Sequence, residues 1–269
     1  MIRIGCSGWS YPEWKGVLYA GRADMFTQYS RSFNTVEINS TFYGLPSHDM
    51  VNAWIRKAAI LKDFRFSVKM WGEITHKNLL TDTDAASDLL EKFLETVVHP
   101  LGRVNLLAAC LVQLPPYFRR SDMGRLTSLL SKANTREITY AVEFRDKSLY
   151  GHKDTVEELG SMNVSVVSID SPENPLKEIY RNGPVVYIRL HGRNYETWKT
   201  GEGMDRYLYR YSMAELSGIA DLIKSSGITE ETLIFFNNHP NGNAPANAME
   251  MMEILGVGGQ KGEGQQRLF

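Results

Sequence analysis

Eight short runs rich in apolar and β-branched residues recur along the whole 269-residue chain, and no other feature of the sequence constrains the fold as tightly. They are Ile2–Cys6, Thr35–Asn39, Phe64–Lys69, Leu107–Gln113, Ile138–Glu143, Val164–Asp170, Val185–His191 and Thr232–Asn237. Segments with helical periodicity separate them, near Asp24–Ser32, His48–Leu61, Thr83–Val98, Asp122–Ala133, Lys153–Met162, Met213–Ser225 and Ala244–Leu255. Strands that alternate with helices join by right-handed crossovers into a parallel sheet, and eight such units close a barrel. A doubly wound open sheet is the alternative, but it would carry a glycine-rich loop after its first strand. Here that position reads Gly5-Cys6-Ser7-Gly8-Trp9, without the third glycine and with aromatics following. The expected fold is α/β: a single (β/α)8 TIM-type barrel of parallel strands over residues 1–255.

Hydrophobic residues make up 43% of the chain and charged residues 23%, enough to fill a large core and keep the surface soluble. No stretch reaches the roughly 18 consecutive apolar residues of a membrane span. The N-terminus enters the first apolar run with no signal-peptide core ahead of it. Cys6 and Cys110 each lie in an apolar run, which fits buried thiols in a reducing compartment better than a disulfide. A cytoplasmic, monomeric protein is expected. The net charge of −1 does not mark a nucleic-acid binder, so an anionic ligand must be drawn by locally clustered Lys and Arg.

Barrels of this kind carry their chemistry at the C-terminal ends of the strands. Every strand end here contributes polar groups, from Ser7 after the first run to Asn237, Asn238 and His239 after the last. Glu143, His191, Glu37 and His76 are the candidates for acid–base catalysis. Trp9, Asn39, Tyr43, Lys69, Gln113, Arg145, Asp170, Arg189, Arg193, Asn237, Asn238 and His239 are the candidates for substrate binding. Arginine forks suit phosphate and carboxylate oxygens, so the set reads as an anion pocket with acid–base groups beside it. The competing reading is that these charges pair among themselves to close the barrel top. Among the early aromatics, Trp14 and Tyr19 are expected to cap the barrel, while Trp9 and Tyr43 follow strand ends closely enough to face a ligand.

No nucleotide-cofactor motif is present. A divalent metal on Glu143, Asp170, His191 and His239 is compatible with the strand order, although no tight motif such as His-Glu-x-x-His supports it and the arginines oppose a bound cation. Three functions follow as expectations. The first is an enzyme on a phosphate-containing substrate, nucleic acid included, acting as a phosphoester hydrolase. The second is a non-catalytic module that binds an anion or nucleic acid. The third is a divalent-metal-dependent barrel enzyme.

Seven segments, taken in order, resemble the YecE-like family, also called domain of unknown function 72. They are GCSGWSYPEWKG, FNTVEINSTFYGLPS, SVKMWGEITH, LVQLPP, AVEFR, VYIRLHGR and FFNNHPNGNAPANA, spread from residue 5 to about residue 249. The resemblance implies a TIM barrel and a shared site around Glu37, Asn39, His76, Gln113, Glu143, Arg145, Arg189, His191, Arg193 and Asn238. It implies no particular reaction.

Residues 256–269 read GVGGQKGEGQQRLF, a flexible glycine-rich linker with Gln265, Leu268 and Phe269 at its end. Gln-x-x-Leu-Phe resembles the short peptides that dock on DNA sliding clamps, with Leu268 and Phe269 entering an apolar pocket and Gln265 bonding at its rim. The terminus departs from the fuller pattern, having no Leu directly after the glutamine and no aromatic pair. A DNA sliding clamp is therefore the partner this tail suggests.

Overall fold

The computed structural model describes residues 1–200 and 205–258. Its strands are β1 (Ile2–Cys6), β2 (Thr35–Ile38), β3 (Arg65–Lys69), β4 (Leu107–Gln113), β5 (Tyr140–Glu143), β6 (Val164–Asp170), β7 (Val185–Leu190) and β8 (Glu231–Phe236). All pair in parallel, in the order β1-β8-β7-β6-β5-β4-β3-β2. The sheet curls until its two edges meet at a single bridge between Ser7 and Glu37. This is the expected TIM-type barrel. The strand positions follow the apolar runs to within one or two residues.

The helices are α1 (Met25–Ser32), α2 (Ser40–Tyr43), α3 (His48–Ala58), α4 (Thr83–Phe93), α5 (His99–Arg103), α6 (Met123–Ser131), α7 (Lys153–Ser161), α8 (Tyr195–Thr200), α9 (Met213–Ser225) and α10 (Asn243–Leu255). Side chains start several of them. Asp24 accepts from Phe26 N at α1 and Ser47 from Met50 N at α3, while Ser212 and Glu215 form a reciprocal capping box at α9. Two turns wider than an α-helix, Glu73–Asn78 and Leu94–Val98, divide segments that read as continuous or irregular in sequence. Strands β6 and β7 are joined without a helix, as expected, whereas α8 falls in a stretch whose sequence shows no helical period. Cys6 and Cys110 are buried free thiols. Among the described residues no helix is long and apolar enough to cross a membrane.

The seam between β1 and β2 lacks a regular ladder, and one hydroxyl replaces it. Tyr29, on α1, accepts from the Cys6 N–H at 2.8 Å and donates to the Thr35 carbonyl at 2.8 Å. Gly5 makes that closure geometrically feasible, because a Cβ there would lie 2.3 Å from the Thr35 oxygen. At the opposite, N-terminal end of the barrel, Arg3 is clamped by Asp63 at 2.7 Å and Glu231 at 2.6 Å. Tyr29→Phe keeps the ring but leaves two buried backbone groups unpaired, at a cost of about 1–3 kcal/mol. Urea denaturation should show that loss; an unchanged midpoint would mean that water or main chain closes the seam instead.

Candidate functional site

Side chains two apart on a strand share a face, so Tyr187 and Arg189 on β7, and His191 directly after it, project together into the barrel. Arg189 is the centre of what they meet. Its Nη2 donates to Glu37 Oε1 at 2.7 Å and its Nη1 to Glu143 Oε2, so one guanidinium bridges β2 and β5 across the interior. All three side chains are at most 1% exposed. Each carboxylate takes further donors: Ser7 Oγ (2.7 Å) and Tyr187 OH (2.6 Å) on Glu37, and Gln113 Nε2 (2.6 Å) on Glu143. Burial alone would push the Glu143 carboxyl up, but the guanidinium charges of Arg189 and Arg145 outweigh it and hold it well below the usual carboxylate range.

Gln113 passes the network on. Its Oε1 accepts from Lys69 Nζ at 2.8 Å, and that ammonium lies 4.0 Å from the centre of the Phe42 ring. Burial, then the nearby Arg189, brings the Lys69 pKa down to about 7. One charge-bearing chain therefore runs from Lys69 through Gln113, Glu143 and Arg189 to Glu37, linking β2, β3, β4, β5 and β7.

His191 sits on the upper side of this layer. Its Nδ1 is 3.0 Å from Asn237 Nδ2, and its Nε2 is 3.3 Å from Glu143 Oε1 without the alignment of a hydrogen bond. Burial lowers its pKa by more than Glu143 raises it, so the ring is neutral. An amide donating to Nδ1 and a carboxylate facing Nε2 both favour the tautomer with the proton on Nε2. Glu143, His191 and Arg145 line a cavity of about 70 Å3 together with Trp198. Arg145 is half-buried, its guanidinium carbon 5.1 Å from the Trp198 ring centre. That guanidinium has no ion-pair partner among the described residues.

The remaining candidates divide. Asp170 belongs to a different face: its carboxylate accepts two bonds from Arg193, one from Tyr211 OH at 2.7 Å and one from Leu176 N. Asp170 and Arg193 are thus committed to each other at the root of the excursion after β7. Asn238 is held by the Tyr209 carbonyl and Asn247, with its Oδ1 unpartnered, and His239 stacks on Tyr11 at 4.6 Å. Asn39 Nδ2 faces the Ser7 carbonyl at 3.5 Å, leaving its buried Oδ1 without a donor. Tyr43 is 84% exposed, whereas Trp9 turns inward, edge-on to Phe26 and Trp54. Burial, then Lys69 and Arg145, lowers His76 to about 4, and Thr75 Oγ1 lies 2.8 Å from its Nδ1. Trp14 and Tyr19 are buried under the mouth, as capping residues would be. Gln265, Leu268 and Phe269 lie outside the described residues.

Among the described residues, no three His, Cys, Asp or Glu side chains gather closely enough to hold a metal ion. Of the suggested set, Asp170 is occupied by Arg193 and His239 by its stack on Tyr11. Sequence reasoning missed Tyr187, Trp198 and Tyr207. Tyr187 was detectable, since it precedes Arg189 by two on the same strand. Trp198 and Tyr207, whose rings lie 6.0 and 6.2 Å from His191, come from a stretch with no periodic signal.

Two expectations test this network. Arg189→Met strands two buried carboxylates and should cost about 3–5 kcal/mol in urea unfolding, with part returned by adding Glu37→Gln and Glu143→Gln. A loss below about 1 kcal/mol would show that water replaces the guanidinium. Lys69 titrates near 7 when folded and at 10.5 when unfolded, so the unfolded chain binds the extra proton between those values. Stability should therefore rise with pH from about 7 to 10.5, and Lys69→Met should flatten that slope. Equal slopes for both proteins would refute it.

The chain matches the family described as "Protein of unknown function DUF72" over residues 3–267. It is 26% identical to the UPF0759 protein YunF of Bacillus subtilis (strain 168), covering 96% of this chain and 95% of that protein. It is 31% identical to the UPF0759 protein YecE of Escherichia coli O157:H7 over 64% of this chain and 60% of that protein. A crystal structure of a DUF72 family protein from Thermotoga maritima MSB8 superposes with a TM-score of 0.81 at 32% identity, covering 95% of this chain and 99% of the other. One from Enterococcus faecalis V583 superposes with a TM-score of 0.82 at 25% identity, covering 99% and 100%. A barrel that matches the DUF72 model over residues 3–267, and shares nearly its full length with both crystal structures, belongs to the DUF72 family.

Proposed function

We propose that this barrel is an enzyme acting on a phosphate-containing substrate at the C-terminal face, a hydrolase of phosphoester bonds. The observation that carries the reading is His191 Nε2: a fully buried ring nitrogen, 3.3 Å from Glu143 Oε1 but out of hydrogen-bond line with it, in the same cavity as Glu143 and Arg145. Buried polar atoms are seldom left unpaired unless a ligand or water completes them. Arg145 supplies the fixed positive charge for a phosphoryl group, and Trp198 holds its guanidinium plane. His191, neutral and protonated on Nε2, donates to an oxygen that gains negative charge in the transition state. Glu143 binds protons too weakly to serve as the base, so its part is to favour the Nε2–H tautomer of the imidazole that Asn237 orients. Water supplies the hydroxyl to phosphorus and the proton to the leaving oxygen.

A second reading has its own support. Glu37 and Glu143 are both engaged by Arg189, which suits a non-catalytic module that holds an anionic metabolite or a nucleic-acid end. Gln265, Leu268 and Phe269 would then bring it to a DNA sliding clamp. The test is turnover on small phosphoesters, RNA, and single- and double-stranded DNA, with and without Mg2+, Mn2+ or Zn2+. His191→Ala should lower kcat by about 10²–10³, the usual loss for one such donor. Glu143→Gln should reduce it as well, with substrate binding retained. Wild-type protein that turns over none of the panel would favour the binding module.

A further inference from the structure

Above the buried network, ring contacts run without a break around half of the barrel mouth. Arg145 lies on Trp198, Trp198 meets Tyr207 at 6.1 Å, Tyr207 meets His239 at 5.8 Å, and His239 stacks on Tyr11. His191 lies against both Trp198 and Tyr207. The two ends of this wall differ in chemistry. At one end is the Arg145 cation. At the other, Tyr11 OH donates to the Ser7 carbonyl at 2.8 Å, and Asn39 Nδ2 faces the same oxygen.

That shared carbonyl fixes the Asn39 amide, since flipping it would set two acceptors against each other. The unpartnered atom is therefore Oδ1, an acceptor that needs a donor. A phosphate or carboxylate group supplies acceptors and cannot serve it well. A hydroxyl can. Midway along the wall, the His239 Nδ1 is a second buried atom with no hydrogen bond, 4.0 Å from Glu13.

The rings narrow the choice further. Trp198 and Tyr207 meet edge to face at 88°, and His239 and Tyr11 are closed on each other at 15°. Neither pair leaves a parallel gap for a flat base. Ring faces with hydrogen-bonding atoms between them suit the C–H faces and hydroxyls of a sugar. The cavity beside Glu143, Arg145 and His191, about 70 Å3, has room for one small group.

The geometry points to a polyhydroxylated ligand with one terminal anionic group, a sugar phosphate or sugar acid, its anion on Arg145 and a hydroxyl on Asn39 Oδ1. This deepens the proposed function and rests on Arg145 as the anion site. Calorimetric titration of the full chain tests it, with five- and six-carbon sugar phosphates, their parent sugars, the matching aldonates and inorganic phosphate as probes. At least one sugar phosphate or aldonate should bind ten-fold or more tightly than both inorganic phosphate and its parent sugar; which of the two wins identifies the anionic group. Arg145→Met should abolish the advantage over the parent sugar, and Asn39→Ala the advantage over inorganic phosphate. Asn39 makes no side-chain cap to α2 and only a long 3.5 Å contact to the Ser7 carbonyl, so its variant should stay folded with little loss of Tm. Inorganic phosphate binding as tightly as every sugar derivative, with Asn39→Ala without effect, would overturn the sugar inference and leave the anion site standing. No binding of any anion would remove both.

Discussion

Placing Arg189 between Glu37 and Glu143 is the constraint on which the barrel top depends. Three ionisable side chains are withdrawn from water at the level where the strands end, and dehydrating them is expensive. The expense is offset only because each carboxylate receives a second or third donor, from Ser7, Tyr187 or Gln113. Those donors come from the residue that follows β1, from β7 and from β4, and Lys69 adds β3. The polar layer thus ties six of the eight strands to one another through side chains. A register slip of one residue in β2, β5 or β7 would turn a buried charge outward and strand its partner. Ion pairing here selects one closure of the barrel among others that apolar packing alone would tolerate.

The same layer limits the chemistry above it. A carboxylate held ionised by a buried guanidinium is a poor proton acceptor, so Glu143 shapes the field around His191 better than it could exchange protons. His76 and His191 are both neutral because burial disfavours their charged forms. Lys69, near 7, is the group of the network closest to a physiological titration. A site of this kind presents fixed dipoles and one fixed cation to whatever enters it, which is how preorganised electrostatics act on developing charge.

Much of this was legible in the sequence, for reasons that can be stated residue by residue. The eight strands could be read because a barrel strand is covered on both faces and so stays apolar until it ends. The polar strand ends could be read for the same reason: Gln113 and Glu143 break runs that are otherwise uniform. Partner choice could not, because it depends on which face each residue takes. Ile169 lines the cavity with Glu143, so Asp170, one residue on, points the other way and meets Arg193 and Tyr211. Tyr187 follows from the parity that carries Arg189 inward two residues later, although its ring taken alone reads as core. Trp198 and Tyr207 lie outside any periodic segment, so only tertiary structure brings them over His191.

Strand-end charges can pair with one another or await a ligand, and a large part of this set is paired. Glu37, Glu143 and Arg189 pair inside the barrel. Asp170 and Arg193 pair at the root of the excursion after β7. Lys69 leans on Gln113 and Phe42, Arg145 stays half-buried on an indole face, and Asn39 Oδ1, His191 Nε2, Asn238 Oδ1 and His239 Nδ1 are buried strand-end atoms that no side chain completes. Composition counts all of these groups alike. The distinction that matters for function is which charges are already neutralised, and that follows from strand parity and loop path. In the ligand proposed for this face, an anion and a hydroxyl would complete the leftover atoms, with the neutralised groups below holding them in place.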